Sequence, residues 1–352
     1  METNWRSHEW AGVFAATLCA FHSDESLDEE GLCGYFADML RVPGIKGLVC
    51  NGHTGEIMSL RPRERAQVTR WLARTVRQAA SRVKVVSGVM AEGSLEAIDH
   101  ALEAKEAGAD AILLMPTHHW LRFGRSSRTA VGFIEDVAAG ANLPIIIHQY
   151  PAWTKAAYTL EEMLEMVKIP QVVMIKMGTR DMSRCRYDYE QLKAAAPHVS
   201  IVTCQDEFLL PSLLEGADGA LIGFAALVPE LMVEIVDAAL DGDLPRARRA
   251  QRIVAPLSRL VYHFGEPGGE AHQRMKICRW LMNRFPSPHC RRPLRPLPPE
   301  QIEQLRAGLL ALGFECPRVI EPDGAVRPLT TRSQSPAAVA GGPAHLKRAA
   351  VR

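Results

Sequence analysis

A lysine with an unusual position is the first sign of chemistry in this chain. Lys176 ends the apolar run Val172–Ile175 and is followed at once by Met177-Gly178-Thr179. An ammonium at the end of a buried strand is costly unless its pKa is lowered and the amine has a chemical task. We therefore predict that Lys176 is a nucleophile.

Two other apolar runs also end in polar residues. The run Pro144–Ile147 leads into residues 148–151, His-Gln-Tyr-Pro, and an earlier run leads into residues 51–56, Asn-Gly-His-Thr-Gly-Glu. In a parallel α/β barrel the carboxyl ends of the strands meet on one face, where active sites are built. The pattern predicts a lysine nucleophile surrounded by a proton relay.

The elements that must position these residues follow a repeating pattern. Short apolar runs alternate with longer segments of helical period, such as residues 61–80 and 94–107, which is typical of β-α units around a parallel sheet. The predicted strands are Gly12–Leu18, Gly47–Asn51, Val83–Gly88, Ala111–Met115, Ile145–His148, Val172–Lys176, Ser200–Cys204 and Gly219–Ile222. Eight such units predict a (β/α)8 TIM barrel.

The regions outside the barrel differ in composition. We predict an N-terminal arm over residues 1–10, the barrel over 11–225, and the eighth barrel helix with a C-terminal helical region over 226–315. Helical period is found at residues 229–240, 244–263, 269–283 and 299–312. Residues 316–352 are rich in Pro, Gly, Ala and Ser without periodicity, and we expect this tail to be disordered.

Composition excludes several classes of protein. A formal net charge of +1 gives no reason to expect nucleic acid or an acidic membrane as a partner. The chain has no run of 18 apolar residues and its first ten residues are polar, so we expect a cytoplasmic protein. Eight cysteines without a Cys-x-x-Cys pair predict reduced thiols.

The motifs identify a family. The chain resembles the dihydrodipicolinate synthase and N-acetylneuraminate lyase family of class I aldolases, from about Trp10 to Phe314. Gly-His-Thr-Gly-Glu at 52–56 lies where the family has Gly-Thr-Thr-Gly-Glu, and Val-Met-Ile-Lys at 173–176 lies where it has its Schiff-base lysine. The segment Arg-Pro-Leu-Arg-Pro-Leu at 292–297 also matches.

The resemblance implies a reaction. Lys176 would form an imine with pyruvate or a related 2-oxo acid, and the enamine derived from it would make or break a bond to an aldehyde or a leaving group. Such a lyase needs no metal or organic cofactor. Gly52, Thr54 and Gly55 would receive the substrate carboxylate in an anion-binding loop. The family is usually a homotetramer, so we expect a homo-oligomer.

This chain departs from the family at each relay position. His148 and Gln149 replace the Tyr-Asn pair after strand five, His53 replaces the first threonine of the loop, and His118 replaces the second tyrosine after strand four. We predict Lys176, His148 and His53 as catalytic residues, with His118 and Gln149 in contact with the substrate. Because imidazole titrates near pH 6.5, the rate should depend on an ionisation in that range.

Specificity should also differ from that of the synthases. Trp153 lies where synthases of lysine biosynthesis carry an arginine that binds a carboxylate, which argues against dihydrodipicolinate synthesis. Together with Trp120, it predicts a more apolar or aromatic substrate tail. Leu221 on the eighth strand is a further predicted substrate contact, and Tyr150 is predicted to shape the pocket wall.

Two alternatives from other classes stay open at this point. The chain could be a non-catalytic sensor or binder of 2-oxo acids. Alternatively, His53, His118 and His148 could converge on a zinc ion. The acceptor aldehyde, the leaving group and the direction of the reaction also stay open.

Overall fold

The protein is a closed barrel of eight parallel strands. The computed structural model describes residues 5–262, 268–320 and 326–328. The strands pair in chain order and β1 closes on β8. They are β1 Gly12–Ala16, β2 Ile45–Cys50, β3 Lys84–Val89, β4 Ala111–Leu114, β5 Ile145–Gln149, β6 Val172–Met177, β7 Ser200–Thr203 and β8 Gly219–Ile222. The predicted (β/α)8 TIM barrel is confirmed, and strand ends match the prediction to within about two residues.

Helices alternate with the strands along the chain. They are α1 Glu29–Leu40, α2 Pro62–Gln78, α3 Ser94–Glu106, α4 His119–Phe123, α5 Ser127–Ala141, α6 Leu160–Met166, α7 Met182–Ala195, α8 Leu209–Leu214, α9 Phe224–Leu227, α10 Pro229–Leu240, α11 Leu244–Tyr262, α12 Ala271–Leu281 and α13 Pro299–Ala311. In α2 the residues Val68, Trp71, Leu72 and Val76 are buried on one face, as their helical spacing predicts. Within the described residues, no helix combines the length and the apolar character needed to cross a membrane.

The strands are apolar because both faces of the sheet are covered. Ile145, Ile146 and Ile147 of β5 have no exposed surface, which is typical of parallel sheets enclosed by helices. The polar residues of β5 and β6 come at the carboxyl ends, where the register pairs His148 with Lys176. The fold therefore brings the predicted site residues to one end of the barrel.

The chain forms two compact units. The first contains the described residues up to Cys19 together with Asp28–Ala255, and it includes the whole barrel. The predicted barrel boundary after residue 225 lies inside this unit, because α10 packs against α8 and β1 as part of the outer helical layer.

The second unit contains Ala20–Leu27 and the described residues from Pro256 onward. A fully buried lysine, Lys276 of α12, donates from Nζ to the carbonyl of His289 at 2.8 Å. Its Nζ lies 4.8 Å from the ring centre of Phe21, a favourable cation–π contact.

The C-terminal tail differs in part from the sequence prediction. We expected residues 316–352 to be irregular, but β9 Arg318–Ile320 and β10 Val326–Pro328 pair as a short antiparallel sheet. The remainder of the predicted disordered tail, residues 321–325 and 329–352, lies outside the described residues.

Candidate active site

Lys176 lies near the carboxyl end of β6 and is partly buried. Burial lowers its pKa below 10.5, the nearby Cys204 and Asp206 oppose this shift, and Arg180 adds to it. Within the described part of the chain, no hydrogen bond or ion pair holds the Lys176 ammonium. The lowered pKa increases the fraction of the neutral amine, which is the nucleophilic form.

The loop after β2 is held in place by Asn51. This residue is buried and adopts a left-handed backbone conformation with φ 55°. Its Nδ2 lies 2.9 Å from the carbonyl oxygen of Arg65, 3.0 Å from Thr69 Oγ1 and 3.0 Å from Ser87 Oγ. A Cβ at Gly88 would come within 1.9 Å of the Asn51 carbonyl oxygen, so only glycine permits this close approach.

The same loop presents unused donors. Among the described residues, neither the backbone amides of Thr54 and Gly55 nor the Thr54 hydroxyl has a hydrogen-bond partner. Thr54 is nevertheless only 6% exposed, and a Cβ built at Gly52 would meet no atom within 4 Å. Buried donors without partners next to open space form a suitable cradle for a carboxylate.

Three histidines and a tyrosine form a cluster beside Lys176. The rings of His53 and His148 have centroids 5.3 Å apart, and the ring of Tyr150 lies 5.6 Å from His53 and packs edge-on against His148 at 5.0 Å. The Tyr150 hydroxyl is 3.0 Å from His53 Nε2 and 3.4 Å from His118 Nε2. The predicted residues His53, His118 and His148 thus come together around a phenol.

Glu92, in the loop after β3, holds His118 in this position. The backbone amides of His118 and His119 donate to its carboxylate at 3.2 and 2.9 Å, and His119 Nδ1 lies 2.8 Å from Glu92 Oε2. Burial alone would raise the pKa of Glu92, but the hydrogen bonds from His119 and His118 lower it. The ionised carboxylate therefore fixes the start of α4.

His148 does not have the properties of the proton relay that we predicted for it. Burial, and after it the charges of Lys176 and His53, lower the pKa of His148 well below 6.5. His148 Nδ1 has no hydrogen-bond partner among the described residues, whereas His53 Nε2 contacts the phenol of Tyr150. The lowered pKa of His148 does not agree with the expectation that its ionisation near pH 6.5 controls the rate.

Several other predicted substrate contacts have different surroundings. Gln149 is buried and its Oε1 accepts a hydrogen bond from the Gly178 amide at 3.0 Å, so it supports the turn after Lys176. Trp153 is 73% exposed, and Leu221 has no exposed surface within β8. Gln149 Oε1 is thus used within the fold, Trp153 lies on the surface and Leu221 is enclosed, and the contact of these three side chains with a substrate stays a prediction.

The predicted aromatic substrate tail loses its basis for the same reason. Trp120 is buried and its ring packs edge-on against Phe133 and Tyr158, at centroid distances of 5.7 and 6.4 Å. Trp120 belongs to the outer packing of the barrel.

Sequence reasoning missed two features of the site. Tyr150 was assigned to the wall, although strand alternation places residues 148 and 150 on the same side and so could have indicated its role. The second feature is a partly buried ion pair after β6 and β7, in which Arg180 Nε donates to Glu207 Oε1 at 2.7 Å. Its two members are far apart in sequence, and no motif links them.

The three-histidine zinc site is not favoured by the geometry. The Tyr150 hydroxyl lies within hydrogen-bond distance of both His53 and His118, so their Nε2 atoms face the phenol. In the part of the chain that the structure describes, no group of three His, Cys, Asp or Glu side chains could hold a metal ion.

Comparison with known proteins identifies the class of this barrel. The model of the dihydrodipicolinate synthetase family matches residues 9–312, and the chain belongs to this family. It is 29% identical over 303 residues to 4-hydroxy-tetrahydrodipicolinate synthase of Natronomonas pharaonis, covering 86% of this chain and 98% of the relative. It is 27% identical over 261 residues to N-acetylneuraminate lyase of Rhizobium meliloti, covering 74% of this chain and 83% of the relative.

A solved structure with the same fold is YagE of Escherichia coli K12, a prophage protein of the dihydrodipicolinic acid synthase family, determined in complex with pyruvate. It superposes with a TM-score of 0.78 at 24% identity, covering 87% of this chain and 99% of YagE. The family assignment makes the chain a lyase of the aldolase type.

Proposed function

We propose that this lyase forms an imine between Lys176 and pyruvate or a related 2-oxo acid. The observation that carries the proposal is the environment of Lys176, which is partly buried, has a lowered pKa and lacks an ion-pair partner among the described residues. A lysine kept for structural reasons would be expected to have a carboxylate or carbonyl acceptor. The complex of YagE with pyruvate supports the choice of substrate class.

The loop after β2 would receive the carboxylate of the 2-oxo acid. The amides of Thr54 and Gly55 and the Thr54 hydroxyl are donors without partners in the described chain. The same loop carries His53, whose ring packs against His148, the β5 partner of Lys176. The carboxylate and the imine would therefore lie in one cavity.

We propose further that the second substrate or leaving group carries no carboxylate of its own. Trp153 replaces the expected arginine and lies on the surface. Arg180, a cation near Lys176, already pairs with Glu207 at 2.7 Å. A substrate carboxylate at this end of the site would compete with Glu207 for the same guanidinium, which favours an uncharged aldehyde.

Reductive trapping tests the proposal. Purified protein is incubated with pyruvate and borohydride, digested, and analysed by mass spectrometry. We expect a reduced pyruvate adduct on the peptide that contains Lys176, and none in Lys176→Met. Lys155→Met is the matched control, because Lys155 is exposed and donates only to the carbonyl of Arg122 at 3.0 Å. An absent adduct in the wild type, or an adduct that survives in Lys176→Met, would show that the proposal is wrong.

A further inference from the structure

We propose that the phenol of Tyr150 moves protons in this site, with the ring nitrogens of His53 and His118 as its two partners. The inference rests on the proposed function, since it assigns the proton transfer that enamine formation at Lys176 requires. The sequence pattern had assigned proton transfer to His148. The structure assigns it instead to Tyr150, two positions further along the chain.

The geometry around the hydroxyl supports a proton path. Tyr150 OH lies 3.0 Å from His53 Nε2 and 3.4 Å from His118 Nε2. A phenol can donate one hydrogen bond and accept another, while a neutral imidazole has one donor and one acceptor nitrogen. The hydroxyl can therefore donate to one ring and accept from the other. Tyr150 is 6% exposed, and His53 and His118 are both partly buried, so the path leads from a buried phenol to rings that solvent can reach.

His148 lacks what a proton shuttle needs. Its Nδ1 is buried without a hydrogen-bond partner among the described residues. A group that takes a proton from the substrate must pass it on or stabilise the resulting charge, and an unpartnered buried nitrogen does neither. His148 instead packs edge-on against Tyr150 at 5.0 Å. It is a positioning residue that supports the phenol.

The position of Tyr150 along the barrel axis suits contact with an imine on Lys176. The β5–β6 register pairs His148 with Lys176. Tyr150 directly follows the last residue of β5, two positions beyond His148, so it lies nearer the barrel mouth than His148. The four-carbon stem of a lysine can carry the imine in that direction.

The proposed step balances as follows. The C3–H bond of the protonated pyruvate imine breaks, its electron pair forms the C2=C3 bond of the enamine, and the C2=N electrons return to the lysine nitrogen. The phenol oxygen of Tyr150 takes the C3 proton while its own hydrogen passes to Nε2 of His53. His53 becomes imidazolium and the phenol is regenerated. This step requires the Nδ1–H tautomer of His53.

Exchange of the C3 hydrogens of pyruvate for deuterium in D₂O, followed by NMR, measures this step alone. Tyr150→Phe should slow exchange by about 10²–10⁴-fold, with the half-saturating pyruvate concentration changed less than about threefold and borohydride trapping at Lys176 retained. Tyr158→Phe removes the same atom from a buried phenol that has no hydrogen-bond partner among the described residues. This matched control should exchange at the wild-type rate.

Three more variants distinguish proton transfer from a structural role. His53→Leu removes the acceptor nitrogen and should also slow exchange at least tenfold. The double variant of His53→Leu with Tyr150→Phe should exchange no more slowly than Tyr150→Phe alone, because both changes interrupt the same proton path. His148→Phe should lose less than Tyr150→Phe.

The outcomes separate the two proposals. A wild-type protein that traps no pyruvate refutes the proposed function and the relay with it. The relay alone is refuted if the wild-type protein traps pyruvate and exchanges its C3 hydrogens, and Tyr150→Phe exchanges them as fast as Tyr158→Phe. A greater loss in His148→Phe than in Tyr150→Phe also overturns the relay and returns the role to His148.

Discussion

The fold depends on Asn51 to hold the loop that carries His53 and Thr54, and this dependence can be measured. The Asn51 side-chain amide has two N–H groups shared among the Arg65 carbonyl, Thr69 Oγ1 and Ser87 Oγ at 2.9–3.0 Å. Its backbone is left-handed, with φ 55°. Replacement by glycine removes the amide together with the Cβ, whereas replacement by alanine removes the amide and keeps a Cβ in the left-handed conformation.

The expected magnitudes follow from these two contributions. Two buried hydrogen bonds at about 0.5–1.5 kcal/mol each predict that Asn51→Gly lowers the free energy of unfolding by about 1–3 kcal/mol. Thr69 Oγ1 and Ser87 Oγ lie 2.9 Å apart and remain hydrogen-bonded to each other in the variant. The loss of the Asn51 amide therefore leaves neither hydroxyl without a partner, and the free energy of unfolding falls no further. Asn51→Ala should cost about 1 kcal/mol more, because a Cβ is unfavourable in the left-handed region.

Urea unfolding of the wild type and the two variants measures these differences, provided that the slopes of the transitions agree. Displacement of the loop should also raise the half-saturating pyruvate concentration in the exchange assay, by about tenfold in Asn51→Ala if about 1.4 kcal/mol of binding is lost. Equal stability of the two variants would refute the backbone argument. Wild-type stability in both would refute the role of the amide.

Two further predictions concern pH and substrate choice. The pKa of His148 is lowered well below 6.5 in the folded protein, so below about pH 6.5 the unfolded chain binds a proton that the folded chain does not. The free energy of unfolding should therefore fall as pH drops below about 6.5, by up to about 1.4 kcal/mol per pH unit. Urea unfolding at several pH values should show a shallower decline in His148→Phe, and an identical decline would contradict the assignment. Because Trp153 is exposed and offers no cation, condensation of pyruvate with aspartate semialdehyde should be at least about a hundredfold less efficient than with the true partner. Efficient turnover of that pair, followed by dihydrodipicolinate formation, would overturn this prediction.

Most of the fold could be predicted from periodicity. The run Ile145–Ile147 is apolar on both faces, and such runs alternate with amphipathic segments like residues 62–78, so the parallel barrel follows from local composition alone. The strands at 318–320 and 326–328 could not be predicted, because three-residue strands depend on pairing with each other and not on their own sequence pattern.

The candidate site was predicted less completely. Lys176, Thr54 and the three histidines could be found because each follows an apolar run. Gln149 was assigned to the substrate, and no sequence pattern indicated that its Oε1 accepts a hydrogen bond from the Gly178 amide across the strand pair. The pair of Arg180 and Glu207 could not be found, because its members come from different β-α units.

The amino-acid sequence by itself determined that this chain is a (β/α)8 barrel with a lysine and histidines at its strand ends, because hydrophobic period and strand-end polarity are local properties. Only the tertiary structure decided which group contacts which. His148 lies in β5 and Tyr150 directly follows that strand, yet the hydroxyl of Tyr150, and not the ring of His148, lies within hydrogen-bond distance of both His53 and His118. Burial, which depends on every element packed around a group, then set the pKa of His148 far from the value that its residue type predicts.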